Sequence, residues 1–389
     1  QSGDCMSSIG ALVAWTGFGL VCYVYVGYPA MLYIISKVYQ RPVRQEECTP
    51  SVTLVISAFN EADVIRGKLE NSLALDYPRD RLEILVVSDA STDQTDRIVE
   101  SFQSRGVQLL RMPVRGGKTV GLNAACHIAK GDIILFSDAN ILYQRDTVRR
   151  LVTNFADPSV GCVTGDSRYM EEMDSAAHTQ ENAYWGYERM IRTMESQIGS
   201  TVGGDGAIFA IRRELFRPLP PEAINDLVIP LQIVADGYRA VFEPTAIGFE
   251  PSAGDFRKEF RRKRRIVNRS WRGVMSVGTV LNPLRVGIFA WQVWSHKVLR
   301  WLMLPLVVAS AAGCVMALES GWFYQVGIAG FVGSLVLAAA AVVLPERGGW
   351  LSRVAQGLFY FYLVNFAALL GVVKALSGRV EMVWAPERN

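Results

Sequence analysis

Two parts of the chain are apolar without a polar face, residues 10–35 and most of the chain after residue 300. Each is long enough to cross a hydrocarbon core of roughly 30 Å as a helix. No Lys or Arg precedes the first stretch and Lys37, Arg41 and Arg44 follow it. The positive-inside rule therefore puts its amino terminus outside and the chain from residue 38 onward in the cytoplasm. Further apolar spans at about 301–318, 323–344 and 357–376 bring the predicted crossings to about four. Counted from an outer amino terminus, they leave the carboxyl terminus outside, where Lys374, Arg379 and Arg388 fit the rule poorly.

Between these stretches, short apolar runs alternate with helical patterns. Residues 52–56, 83–87 and 107–110 predict strands. Helices are predicted at 62–75, with Ile65, Leu69 and Leu73 on one face, around Ile98, Val99 and Phe102, and at 117–129, closed by Gly131. Ile133-Ile134-Leu135-Phe136 is apolar with no alternation, the pattern of a strand buried on both faces of a parallel sheet. Beyond it the alternation breaks. A strand at 160–164, a helix at 171–198, the loop Gly203-Gly204-Asp205-Gly206, a strand at 208–211, a helix to 235 and short strands at 240–242 and 246–249 complete the unit. Strands alternating with helices imply a parallel sheet with right-handed crossovers.

In such sheets ligands sit at the carboxyl ends of the strands. There the fourth strand carries Asp138 and, two residues on, Asn140, two hard oxygens suited to a divalent cation and a diphosphate. An Asp-x-Asn step is equally an ordinary turn, and Asp226, at the start of a predicted helix, is equally an N-cap. Gly116-Gly117-Lys118-Thr119 is not a phosphate loop of the Walker type, because Met112 stands where that motif needs glycine.

The net charge of +3 is too small to argue for nucleic acid as a partner. The basic residues do cluster from Arg257 to Arg272, in a helical run that suits anionic membrane lipid. Residues 284–297, with Trp291 and Trp294, read as an amphipathic helix lying in the membrane interface. The cysteines Cys5, Cys22, Cys48, Cys126, Cys162 and Cys314 have no C-x-x-C spacing and read as free thiols. His127, His178 and His296 are far apart, which argues against a histidine metal site.

Val-Ile-Ser-Ala-Phe-Asn-Glu at 55–61, Ser-Asp-Ala-Ser-Thr-Asp at 88–93, Gly-Gly-Lys-x-x-Gly-Leu-Asn from Gly116, the acidic landmarks Asp89, Asp138 and Asp226, and Ser-His-Lys-Val-Leu-Arg-Trp at 295–301 together resemble the inverting family-2 glycosyltransferases. The membrane-embedded branch, with the synthases of cellulose, chitin, hyaluronan and poly-N-acetylglucosamine, is the most similar. The resemblance implies an α/β domain of the GT-A fold, Rossmann-like with a mostly parallel sheet, at 38–250. It is flanked by a membrane helix at 1–37, basic and interfacial helices at 251–300 and three membrane helices at 301–389.

The same resemblance implies a multi-pass protein of the inner (plasma) membrane that moves a sugar from a nucleotide sugar, expected to be a UDP-sugar, to a glycan or lipid acceptor with Mg2+ or Mn2+. Ala58, Asn60, Glu61, Asp89, Lys118, Asp138 and Arg265 would bind the donor, Asp138 and Asn140 the metal, and Gly204, Asp205 and Trp271 the acceptor, with Asp226 as general base. The sequence departs from the pattern at three places. Asn140 replaces the second carboxylate of Asp-x-Asp, Ile224-Asn225-Asp226 stands for Thr-Glu-Asp, and the Gln-x-x-Arg-Trp of processive members has neither Gln nor Trp near Arg265. Transfer of one sugar to a lipid, and a non-catalytic assembly subunit, stay open as alternatives.

Overall fold

In the computed structural model, which describes residues 2–169, 176–251, 256–344 and 349–380, a long apolar helix leads into the α/β unit. It comprises α1 (Ser2–Cys22), a widened π turn (Tyr23–Gly27) and α2 (Tyr28–Val38). The strands and helices that follow are β1 (Val52–Ala58), α3 (Ala62–Leu73), β2 (Leu82–Ser88), α4 (Thr95–Glu100), β3 (Val107–Arg111), α5 (Lys118–Ile128) and β4 (Ile133–Asp138). Then come β5 (Leu142–Tyr143), α6 (Thr147–Val152), β6 (Val160–Tyr169), α7 (Ala176–Ile198), β7 (Ile208–Arg212), α8 (Asn225–Ala235) and β8 (Arg239–Glu250). The predicted start of α7 at 171–175 lies outside the described residues.

The eight strands form one sheet in the order β3-β2-β1-β4-β7-β6-β8-β5. Its first four strands run parallel, as the alternation predicts. β7 then pairs antiparallel with both β4 and β6, so the sheet is mixed but mostly parallel. A fully buried strand has the same apolar run whichever way it points, which is why the sequence pattern does not show the reversal. Residues predicted as two short strands at 240–242 and 246–249 are one strand, β8, whose pairing with β6 shifts around Glu243-Pro244-Thr245. Proline lacks the ladder donor, and Glu243 instead accepts from the Thr245 amide at 3.2 Å.

Alternate residues of the central strands feed two cores. Leu54, Ile56, Ile133 and Leu135 pack with Ile65 and Leu69 of α3 on one face. Val55, Ile134 and Phe136 pack with Leu122 of α5 and Leu227 and Leu231 of α8 on the other. Each such side chain contributes about 1.5–3 kcal/mol by burial. The second core does not stop at the α/β unit. It continues through Val267 and Val274 of α9 (Phe256–Ser276) to Phe289 and Val293, and to Ala368 and Val372 near the carboxyl end of the chain.

After α9 the predicted amphipathic helix at 284–297 is broken. Gly287, at φ 59°, separates α10 (Pro283–Val286) from α11 (Ile288–Val293), which runs through a second π turn (Trp294–Val298) into α12 (Leu299–Trp301). The rod from Ile288 to Trp301 meets α13 (Met303–Met316) at 68°. The last helices are α14 (Trp322–Ala340) and α15 (Trp350–Leu376).

Three helices among the described residues are long and apolar enough to cross a membrane, or up to four if the bent pair makes one span. α13 alone has 14 residues, a rise of about 21 Å, which corrects its reading as a full independent crossing. It lies antiparallel on α1 at a seam of small residues. Ser310 Oγ donates to the Ala14 carbonyl at 2.9 Å, and a Cβ added at Gly10 would come 2.5 Å from Met316 Cβ. α15 turns its Gly371 to the backbone of α9, where Asn268 Nδ2 donates to the carbonyls of Gly371 (3.3 Å) and Arg379 (3.1 Å). Arg379 is thereby beside the basic helix that covers the α/β unit.

Candidate active site

Parallel register brings the carboxyl ends of β1, β2 and β4 into line, with Ala58 opposite Ser88 and Ser57 opposite Asp138. What leaves those ends is polar and bent. Asn60 (φ 53°) and Ala90 (φ 57°) are the only described non-glycine residues in the left-handed region, and both lie in these turns. Asn60 is occupied structurally, its Oδ1 accepting from the Thr92 amide at 2.8 Å.

Asp89 spends both oxygens on a loop, accepting from the Gly116 amide at 2.8 Å and the Gly117 amide at 2.9 Å. Gly117, at φ 88°, then opens α5. With Ser57, Ala58, Val87 and Gly121, Asp89 lines a small pocket behind that loop. In this structure its carboxylate holds the Gly116-Gly117 loop where the sequence reading gave it a nucleobase.

The loop delivers Lys118 to the centre. Its ammonium donates to Asp138 Oδ1 and, at 3.0 Å, to the Gly206 carbonyl. Gly206 itself lies against Asp226, and a Cβ there would be 3.2 Å from Asp226 Oδ2. Asp226, in the first turn of α8, is anchored through its own carbonyl, which accepts from the Gly204 amide at 2.6 Å. Its Oδ1 is buried and meets no donor. Burial raises this carboxyl above the usual aspartate range, with Asp205 adding to the effect and Lys118 opposing it. Asp205 is held by Ser167 and by the Ala207 amide, the latter at 3.1 Å.

Glu250, at the end of β8, is pushed up to about 8 by burial, then by Asp205 and Asp138. Lys68 of α3 is fully buried over the Tyr143 ring at 3.8 Å, and burial takes its ammonium down to about 7 despite Asp138 and Glu250.

A cavity of about 1010 Å³ collects these groups. Glu61, Lys118, Asp138, Asn140, Gly204, Asp205, Asp226 and Arg265 all line it. Ala58, Asn60, Asp89 and Trp271 do not. Trp271 is a correction: it lies off the cavity wall, its ring centroid 6.1 Å from that of Trp301, which with Trp185 lines the cavity. Which face of α9 meets the sheet is decided by packing, so the sequence could not choose between them.

The sequence reading also missed Glu250 and one whole wall, formed by Trp185, Tyr187, Glu188 and Arg192 of α7 with His296, Lys297 and Arg300. A signal for the latter existed. Three basic side chains at 296, 297 and 300 interrupt an apolar stretch, and ionisable residues seldom sit there without a task.

Residues 53–219, from β1 to the loop beyond β7, match the family model described as "Glycosyl transferase family 2". They form a family 2 glycosyl transferase domain. The chain is 30% identical over 233 residues to a probable glycosyltransferase, YdaM, of Bacillus subtilis, covering 56% of this chain and 54% of that protein. It is 36% identical over 118 residues to beta-monoglucosyldiacylglycerol synthase of Synechocystis, covering 29% and 25%. The chain thus spans about half or less of the length of these relatives. A solved structure, the mannosyltransferase PcManGT of Pyrobaculum calidifontis with GDP-Man and Mn2+, superposes with a TM-score of 0.68 at 25% identity, covering 95% of this chain and 99% of that one. The glycosyltransferase domain therefore has the GT-A architecture. Asp226, α9 and the apolar helices after it fall outside the family match, whereas the structural likeness extends over 95% of the chain.

Proposed function

We propose that the chain is a membrane-integrated, inverting transferase that moves a sugar from a nucleotide sugar to a glycan or lipid acceptor at the cytoplasmic face of the membrane. The observation that carries this reading is the Asp226 carboxylate, raised by burial, with Oδ1 free of donors, on the wall of the cavity that also holds Asp138 and Lys118. Inversion needs one base on the side of the anomeric carbon away from the leaving diphosphate, and a carboxylate of raised basicity suits it. Asp226 would take the acceptor hydroxyl's proton while Lys118 and Arg265 meet the charge that grows on the diphosphate.

A divalent ion fits the donor set present. Asp138 and Asn140 both line the cavity, and among the described residues no cluster of three or more potential ligand side chains forms an all-protein cage. Mg2+ and its analogues commonly bind through one or two protein oxygens with substrate phosphates completing the shell. Such an ion, Mg2+ or Mn2+, would neutralise the departing diphosphate. PcManGT, solved with GDP-Man and Mn2+, supports that choice. The basic residues after α2 and the run on α9 support a cytoplasmic domain held to anionic lipid.

The test is a panel of radiolabelled sugar nucleotides given to the purified chain in detergent with Mn2+. Nucleotide release with a labelled lipid- or polymer-sized product supports the reading. Release from none of the panel sinks it.

A further inference from the structure

The wall of α7 facing the second π turn is rich in basic side chains, and among the described residues not all of them meet an acceptor. His296, fully buried, has Nδ1 2.8 Å from Glu195 Oε1 and Nε2 3.0 Å from Glu188 Oε2, and Arg300 takes the other oxygen of Glu188. Both carboxylates are thereby used. Arg192, 9% exposed, reaches no closer than 3.9 Å to Asp205, and its Nε meets no acceptor. Asp205 in turn is already held by Ser167 and the Ala207 amide. Lys297 lines the same cavity and makes no hydrogen bond or ion pair with the described residues.

Among the described residues Glu188 and Glu195 are thus taken up by His296 and Arg300, which leaves Arg192 sharing Asp205 at 3.9 Å and Lys297 without a hydrogen-bonded or ion-paired acceptor. A buried unmatched cation is costly, and a site that keeps one is built for an anion. The donor diphosphate has its own partners at Lys118 and Arg265. This corner lies instead where the cavity passes from the sheet edge to α15, whose Tyr360, Phe361 and Val364 offer a wall suited to hydrocarbon.

We propose that Arg192 and Lys297 form an anion subsite for the phosphate of a lipid-borne acceptor, whose chain leaves the cavity along α15. The inference rests on the transferase reading above and gives its acceptor a chemical class. Arg192 is the inner member, on the helix that meets Asp205, so the phosphate is held beside the transfer site while the lipid stays at the membrane side. The cluster around His296 keeps Arg300 and Lys297 turned inward.

The test uses the full chain in nanodiscs of neutral phosphatidylcholine, with farnesyl diphosphate, farnesol and inorganic pyrophosphate as probes. Farnesyl diphosphate should bind saturably, at least about tenfold tighter than either of the others, because charge and chain each contribute. Lys297→Met and Arg192→Gln should each weaken it about tenfold or more, and Lys297→Arg should retain it. Nucleotide-sugar affinity with Mn2+ should change less than about threefold in all three. Lys297→Arg serves as the folding control if either neutral variant fails to fold.

Equal binding of farnesol and its diphosphate overturns the subsite, as does wild-type probe affinity in both neutral variants. Pyrophosphate bound as tightly as the farnesyl probe overturns the lipid source, and a parallel loss of nucleotide-sugar affinity assigns the cations to the donor. Absence of any nucleotide-sugar binding in the wild type, with probe binding intact, counts against the transferase reading and leaves the subsite standing.

Discussion

Nδ1 of His296 lies 2.8 Å from Oε1 of Glu195, so a buried imidazole joins the helix that walls the cavity to the π turn before α12. Tyr28 of α2 donates to the same carboxylate, which also accepts from the Val202 amide at 3.0 Å. Glu195 and His296 therefore tie three parts of the chain together: the leading apolar helix, the glycosyltransferase domain and the rod from Ile288 to Trp301.

Removing the His296 imidazole leaves two buried carboxylates short of a partner. His296→Phe should cost about 3–5 kcal/mol, as breaking a buried pair from one side does, read as a fall in thermal unfolding temperature in detergent. A pH signature accompanies it. Burial alone would raise both carboxyls, but Arg300 and His296 hold Glu188 well below the usual range, and His296 with Tyr28 and the Val202 amide holds Glu195 below it. For a depressed carboxyl the stabilisation is complete above the unfolded value, about 4.3, and is lost as pH falls through the lower folded one. The stability contributed by these two carboxyls should thus be flat from about pH 7 to 5 and drop below about 4. A steep loss between pH 7 and 5 would contradict it.

Asp226 has the opposite sign. Its carboxyl is raised by burial, so the ionised form, which under the proposed function would act as base, costs stability. Asp226→Asn should lower transfer by about 10²–10⁴-fold with donor affinity within a few-fold, and should also raise the unfolding temperature. The wild-type rate should fall on the acid side through a limb above the ordinary aspartate range. A variant that keeps its turnover places the base elsewhere.

How far the sequence reaches is plain from β4 and α9. The unbroken run Ile133 to Phe136 fits a strand buried on both faces, and the acidic end it delivers to the cavity is where the reading expected it. Asp226, read as either cap or base, is not the N-cap, a place taken by Ile224 with no side-chain bond; it stands in the first turn of α8 and on the cavity wall. What the pattern could not carry is anything decided by tertiary direction. The reversal at β7, the face of α9 that turns Trp271 away and the π turns at 23–27 and 294–298 leave almost no trace in apolar periodicity, because one extra residue per turn only rotates the stripe.

Lys68 shows a charge kept at a cost. Burial lowers its ammonium from the ordinary 10.5 to about 7, and its Nζ has no hydrogen-bond acceptor. The unfolded chain holds the proton that the fold gives up between those values, so stability should rise with pH from about 7 to 10 and carry the full penalty below. Lys68→Met, of similar length, should stabilise the chain by roughly 1–4 kcal/mol at pH 6, as replacing buried charge by an apolar side chain often does, and should flatten that pH dependence. Unchanged or lower stability at pH 6 would show that the ammonium and the Tyr143 face together offset the burial.

Trp291 and Trp294, three residues apart, were expected to anchor one interfacial face together, and the π turn separates them. Trp291 turns inward, donating from Nε1 to the Tyr23 hydroxyl at 2.6 Å with its ring 4.9 Å from that of Tyr28. Trp294 is 43% exposed and donates to the Leu281 carbonyl at 3.2 Å. Trp291→Ala should cost up to about 3 kcal/mol, since a half-buried indole and its hydrogen bond are lost, whereas Trp294→Ala should stay within about 1 kcal/mol, as exposed positions do. Their effects on activity should divide as well. Trp291 steadies the helix that presents His296, Lys297 and Arg300, so a folded Trp291→Phe should lose transfer to acceptor more than donor hydrolysis. Trp294→Ala should instead reduce binding to anionic vesicles and leave hydrolysis in detergent unchanged, since an exposed indole beside the basic helix acts on membrane depth. Equal destabilisation by the two alanine variants would mean that the tryptophans share one environment.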